Sequence, residues 1–191
     1  MLTPYSTPIE DFAWWEGAFT NEELDALQNR AKSSGIAGQV ASNDVEVVDD
    51  NVRRSEISWL NWESQNAWIF HKLSHVVSGL NSKFFHFDLT GFGEALQLTN
   101  YDQRYKGTYD WHQDFNSTIS RKLTVIVQLS DASEYDGGNL EIINNYGGPV
   151  CMKKQRGLII AFPSWTVHRV TPVTRGSRQS LVAWISGPNF K

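Results

Sequence analysis

After residue 84 the hydrophobic period of this chain becomes two, and this limits its folds more than any other feature. "KFFHFDLTGF", "EALQLTNYD", "KLTVIVQLS", "GNLEIIN", "RGLIIAF" and "SLVAWIS" all read as strands. "YDGGN", "NNYGGP" and "TRGS" separate them as turns. No helical pattern interrupts the series, so a parallel sheet with crossover helices is excluded. An antiparallel sandwich or barrel is predicted instead.

Before residue 84 two helices are predicted. "TNEELDALQNRAKSSG" has a capping box, Thr20 with Glu23, and an apolar stripe starting at Leu24 and Leu27. "WESQNAWIFHKLSHVVSGLN" places Ile69, Leu73, Val76 and Leu80 at helical spacing. Between them "RRSEISWLN" reads as a strand, and residues 38–56 as a long polar segment of the kind that forms a lid. The expected class is mainly β within α+β, with N-terminal helices buttressing the sheets. The 191 residues fit one domain, with helical support and lid loop through residue 83 and a β core over 84–188.

Apolar residues make up 40% and charged residues 20%, which argues against disorder. Eight Trp are expected either to fill the β core or to line a cleft. The one cysteine, Cys151, excludes an internal disulfide and reads as an inert buried thiol. Neither a signal peptide nor a membrane-spanning apolar run is visible, so a cytoplasmic protein is expected. Of the net charge of −4, residues 151–191 carry seven basic side chains and no acidic one. That segment is either a solvated basic face or a place to hold a small anion. Its bases are scattered, so no nucleic-acid partner is expected.

"YDWHQDF" holds His112 and Asp114 one residue apart. In an extended segment such a pair faces one way and can share an ion. A polar turn is the plain alternative. "PSWTVHRVTPV" offers a third ligand, His168, directly after the strand "GLIIAF". Two histidines and a carboxylate form the facial set of non-haem Fe(II), with positions left open for a bidentate 2-oxo acid and dioxygen. A structural zinc site needs four protein ligands instead, and nothing favours Cys151 as the fourth. His71 and His75 also share a helix face but lack a third ligand, and are assigned to the surface. Arg178 starts the last strand and suits a fixed dicarboxylate, with the Tyr101 hydroxyl as a second donor. A solvated Arg and a packing Tyr are their alternatives.

These segments together resemble the Fe(II)/2-oxoglutarate-dependent dioxygenases on the prolyl 4-hydroxylase side. "EALQLTNYDQRYKGTYDWHQDF" is similar to the stretch leading into that family's H-x-D, "SDASEYDGGNLEI" to its double-glycine hairpin, and "GLIIAFPSWTVHRVTPVTRGSRQSLVAWISGP" to its distal-histidine region. "NVRRSEISWL" weakly resembles its Arg-x-Ser segment. The resemblance implies a double-stranded β-helix, a jelly roll. It implies His112, Asp114 and His168 as iron ligands, and Tyr101 and Arg178 as the 2-oxoglutarate clamp. Thr124 and Gln128 match positions facing the 2-oxoglutarate pocket, although Gln128 replaces the tyrosine of some relatives. Tyr109, Arg54 and Trp184 match positions near the substrate groove. The implied reaction couples decarboxylation of 2-oxoglutarate to succinate and CO2 with C–H hydroxylation of a prolyl residue, peptide or small metabolite. Fe(II), 2-oxoglutarate and O2 are implied, with ascorbate as a candidate auxiliary. Two other readings stay open: a cupin-type metalloenzyme that does not use 2-oxoglutarate, and a non-catalytic binding module.

Overall fold

The computed structural model describes residues 9–33, 35–42, 45–115 and 119–189. The first eight residues, the tip of the expected lid at 43–44, and Lys191 lie outside the described residues. The described elements begin with β1 (Ala13–Trp15), α1 (Asn21–Ser33), β2 (Ile36–Ala37), β3 (Val40–Ser42), β4 (Val45–Val47), β5 (Arg53–Arg54), β6 (Glu56–Leu60) and α2 (Ala67–Leu80). They continue with β7 (Gly91–Phe92), β8 (Leu96–Asp102), β9 (Thr108–His112), β10 (Arg121–Gln128), β11 (Tyr135–Gly137) and β12 (Leu140–Ile143). The last are β13 (Pro149–Cys151), β14 (Ile159–Pro163), β15 (His168–Val170) and β16 (Val173–Ser186).

The strands form two antiparallel sheets and a separate hairpin. The major sheet runs β1-β14-β10-β16-β8-β6-β2, with β7 and β11 also pairing along β16. The minor sheet runs β13-β12-β15-β9-β5, and β3 pairs with β4. Successive core strands pass back and forth between the two sheets, which makes the fold a double-stranded β-helix.

Alternation along each strand decides what goes where. From β10, Leu123, Val125 and Val127 join Leu181 and Ala183 of β16 and Leu96 and Leu98 of β8 on the outer face of the major sheet. The helices close over this face with Leu24 and Leu27 of α1 and Ile69, Leu73, Val76 and Leu80 of α2. The inner face presents Thr124, Ile126 and Gln128 of β10, all buried. Between the sheets Ile126, Leu140, Ile142, Ile160 and Phe162 form an apolar cluster. Other inner positions are polar: Gln97, Thr99, Arg178 and Ser180. Apolar outer positions alternating with polar inner ones give these strands their period of two.

The α1 capping box is formed. Glu23 Oε2 accepts from the Thr20 N–H at 2.8 Å, and Thr20 Oγ1 accepts from the Glu23 N–H at 3.3 Å. Two expectations need correction. "KFFHFDLTGF" is not a strand: Asn81–Phe85 form a π-helical turn that continues α2, and only Gly91–Phe92 pair. The Asn81 side chain fixes this, donating to the Phe87 carbonyl and accepting from its N–H, both at 2.9 Å. Phe85 is thereby buried in the helix-side core. Nor does the part before residue 84 stand apart from the sheets: the expected strand at "RRSEISWLN" forms β5, which ends the minor sheet, and β6, which with β1 and β2 extends the major one. Such additions cover edges that would otherwise stay unpaired.

Three of the seven basic residues of the C-terminal segment form ion pairs. Arg156 meets Asp25, Arg169 meets Glu141 and Arg175 meets Asp136. Cys151 is exposed on the edge strand β13, contrary to expectation.

The double glycine makes the crossing from β11 to β12. Gly137 and Gly138 have φ of 69° and 56°, a region that costs other residues about 1–2 kcal/mol. A Cβ at Gly137 would also run into the Pro172 carbonyl, whereas one at Gly147, with φ of 81°, meets nothing within 4 Å. Gly147→Ala is therefore expected to lower stability by about 1 kcal/mol, and Gly137→Ala by clearly more. Urea midpoints of the two variants check the difference.

Candidate active site

The minor sheet brings His112, Asp114 and His168 together although 54 residues of chain separate the last two. His112 ends β9 and His168 begins β15, and the two face each other in register across these strands. Asp114 lies beyond the end of β9, on a bend. Its N–H and that of Phe115 both donate to the Ser164 carbonyl at 2.9 Å. Arg121 Nη1 donates to the Asp114 carbonyl at 3.0 Å. The ligand atoms of the three side chains lie within 4.8 Å of one another.

Each ligand is oriented from behind. His112 Nδ1 lies 2.7 Å from the Asp110 carbonyl, and His168 Nδ1 lies 3.0 Å from that of Thr166. A carbonyl only accepts, so each Nδ1 carries a proton, and each Nε2 faces the Asp114 carboxylate, at 3.8 Å for His112 and 3.5 Å for His168. The Thr124 hydroxyl donates to Asp114 Oδ2 at 2.8 Å. Tyr109 stacks on His112 with centroids 3.5 Å apart and an interplanar angle of 13°. Phe162 leans on His168 at 4.7 Å.

The electrostatics keep these groups ready for a cation. Burial, then the neighbouring His168, holds the His112 imidazole down to about 3 against the opposing pull of Asp114. Burial alone would raise the Asp114 carboxyl. The two histidines, the Thr124 hydroxyl and Arg121 outweigh it, and the group sits below the usual carboxylate range. At neutral pH the His112 imidazole is neutral and Asp114 is ionised, and with His168 beside them they form the donor set for a divalent metal.

Beside this cluster lies a cavity of about 150 Å³ lined by all three ligands and by Tyr101, Tyr109, Trp184 and Arg178. Arg178 is 1% exposed. It sits on β16 opposite Tyr101 of β8. Its Nη2 donates to Gln128 Oε1 at 3.0 Å and its Nη1 to Ser180 Oγ at 3.4 Å, both neutral acceptors. Its Nε has no partner among the described residues. Nor does any described carboxylate pair with it, and a buried cation without a counter-charge costs several kcal/mol.

Residues 96–186 match the model of the 2OG-Fe(II) oxygenase superfamily. A PKHD-type hydroxylase of Nitrosomonas europaea is 39% identical, over 89% of this chain and 76% of that protein. The chain belongs to the 2OG-Fe(II) oxygenase superfamily. A PKHD-type hydroxylase of Caulobacter sp. is 28% identical over 89% of this chain and 72% of its own length. Other PKHD-type hydroxylases match over less than half of theirs, such as 39% for that of Teredinibacter turnerae. In fold, this 2OG-Fe(II) oxygenase is similar to a Pseudomonas putida prolyl-4-hydroxylase, with TM-score 0.73, 17% identity and 93% of each chain covered. It is also similar to a Trichoplax adhaerens prolyl hydroxylase solved with a hypoxia inducible factor peptide, with TM-score 0.76, 19% identity, and 93% and 84% covered. Among the described residues of the oxygenase, no helix is long and apolar enough to cross a membrane.

The remaining expected site residues fall in different places. Thr124 and Gln128 stand behind the cavity wall, bonded to Asp114 and Arg178 respectively. Tyr109 and Trp184 line the cavity. Arg54 does not reach it: its guanidinium donates to the carbonyls of Tyr105, Lys106 and Asp50. The neighbour Arg53 lines the cavity instead. On a strand the two point to opposite faces, and Arg53 shares its face with Ser55, to which it bonds at 2.8 Å. Gln97 and Thr99 also line it and were passed over. Their alternation with Leu96 and Leu98 was the available signal. The segment 38–56, expected as a lid, holds the β3–β4 hairpin, β5 and the start of β6, and its Gln39, Val40 and Arg53 line the cavity.

Acid is expected to destabilise the metal-free protein. Folding holds His112 near 3, against an ordinary value near 6.5, so between these values the unfolded chain binds more protons. This contribution is complete above about pH 6.5 and declines as pH falls, by at most about 1.4 kcal/mol per pH unit. Asp114 adds to the loss at lower pH. Denaturation midpoints measured from pH 7 to 4 check this, and His112→Gln should flatten the slope.

Proposed function

We propose that His112, Asp114 and His168 hold Fe(II), that Arg178 binds the distal carboxylate of 2-oxoglutarate with Tyr101 as a further donor, and that the substrate contains a prolyl ring. The unpaired, buried Arg178 carries this reading. A guanidinium enclosed by neutral groups calls for an anion from outside the chain, and its fork fits a carboxylate. A cupin-type site would need the triad alone and would leave this charge uncompensated. The prolyl assignment draws on the prolyl hydroxylases that share the fold. A peptide or a small molecule carrying that ring are both within reach of this reading.

The bound Fe(II) supplies the dioxygen chemistry that couples oxidative decarboxylation of 2-oxoglutarate to C–H hydroxylation. The chain's part is positioning. The carbonyls of Asp110 and Thr166 set both imidazole tautomers before metal arrives. Thr124 fixes one oxygen of Asp114 and so restricts how the carboxylate turns. Gln128 and Ser180 hold the Arg178 fork in one orientation. The apolar cluster that includes Ile126, Leu140 and Phe162 borders the site: Ile126 and Leu140 line the cavity and Phe162 packs on His168.

Arg178→Ala is expected to raise the 2-oxoglutarate concentration needed by about two to three orders of magnitude, since breaking one side of a buried pair costs about 3–5 kcal/mol. Arg178→Lys should lose less, keeping the charge without the fork. Iron affinity should change little in either. Isothermal titration of 2-oxoglutarate at saturating Fe(II) measures this, and binding by Arg178→Ala within a fewfold of wild type would place the anion elsewhere.

A further inference from the structure

Arg53 is a second buried guanidinium in the same cavity. It is 6% exposed. All its partners are neutral: Nε donates to Ser55 Oγ at 2.8 Å, Nη1 to the Gln39 carbonyl at 3.2 Å, and Nη2 to Gln97 Oε1 at 2.8 Å. A guanidinium has five N–H donors, so one on each terminal nitrogen is left over. No described carboxylate pairs with it. Its Cζ lies 4.7 Å from the centroid of Tyr109, the ring that stacks on His112. The free cation and the metal-binding imidazole are thus neighbours of one ring.

Charge matching isolates Arg53. The cavity is lined by Arg53, Arg121, Arg178 and one carboxylate, Asp114. Glu94 neutralises Arg121 through two bonds, 2.6 and 2.7 Å long. On the reading proposed above, Fe(II) is balanced by Asp114 and the metal-bound carboxylate of 2-oxoglutarate, and Arg178 by the distal one. One positive charge remains, on Arg53. The cavity is also short of acceptors: Trp184 Nε1 is buried without a partner among the described residues.

We propose that the hydroxylated substrate carries a carboxylate of its own, bound inside the cavity by Arg53, a few bonds from the carbon that reacts. A free imino acid and the C-terminal residue of a peptide share this chemistry. An internal prolyl residue does not, because both its flanking groups are neutral amides. A single leftover charge matches a monoanion, and the planar fork matches a carboxylate. A phosphate dianion would exceed it. The proposal rests on the 2-oxoglutarate reading of Arg178.

The test uses wild-type enzyme loaded with Fe(II) and 2-oxoglutarate. Substrate-stimulated succinate formation is measured with L-proline, L-prolinamide, Ala-Ala-Pro and Ala-Ala-Pro amide. At least one free acid should half-saturate about tenfold or more below its amide, the worth of one charge-assisted hydrogen bond. The two acids distinguish a free imino acid from a peptide terminus. Arg53→Gln should bring the acid to the level of the amide, and Arg53→Lys should keep part of the preference. The wild-type comparison needs no variant to fold. Equal use of acid and amide, no stimulation by any of the four, or an acid preference that survives Arg53→Gln would each overturn the proposal. So would a loss of 2-oxoglutarate affinity in Arg53→Gln as large as that in Arg178→Ala, which would assign Arg53 to the cosubstrate. If wild type itself fails to bind 2-oxoglutarate, the proposed function fails instead. Intact 2-oxoglutarate binding without an acid preference counts only against the inference about Arg53.

Discussion

A guanidinium 1% exposed to water, with only neutral oxygens around it, sets the terms for the rest of this molecule. Arg178 can stay there only if the strands around it cannot rearrange. The 14-residue β16 that carries it pairs with both β8 and β10. The outer face of these strands is sealed by α1 and α2 through an apolar layer. Burial on that side keeps the inner side fixed. The desolvation cost of Arg178 is thus borne by the core, and it is returned when an anion enters.

The same division of labour governs the metal cluster. His112 and His168 sit on adjacent strands of the minor sheet, where register sets their spacing. Asp114 lies off the strand and is held by the Ser164 carbonyl, Arg121 and Thr124. Thr124 belongs to the major sheet and Asp114 follows a strand of the minor one, so their 2.8 Å bond ties the two sheets together at the metal site. Preorganisation here is a property of backbone pairing and of the hydrogen bonds that hold Asp114 and the two imidazoles, and it exists before any metal binds.

Much of this was legible from sequence because it followed from period. Inner and outer residues of β8, β10 and β16 alternate, and the strands were read correctly for that reason. His112 and Asp114 alone could be a polar turn; they stood out only together with His168 at the end of a later strand, and these are the three side chains that the fold gathers. The failures also have physical causes. "KFFHF" alternates and is aromatic, but the Asn81 side chain pairs with the backbone of Phe87 and holds a π turn that no two-residue period reveals. Cys151 was expected in the core, yet it lies on the sheet edge. Arg53 and Arg54 are adjacent and identical, and only the register of β5 against β9 decides which one enters the cavity. Strands of two or three residues, such as β1 and β5, carry too few positions for a pattern, and tertiary pairing alone defines them.

The central claim is that this cavity joins a metal and a 2-oxo acid at adjoining points. Anaerobic addition of Fe(II) and then 2-oxoglutarate to the apoprotein tests it most directly. The account predicts a weak visible charge-transfer band that appears only when both are present and saturates at one 2-oxoglutarate per chain. Folded protein that binds Fe(II) but develops no such band with excess 2-oxoglutarate would contradict it.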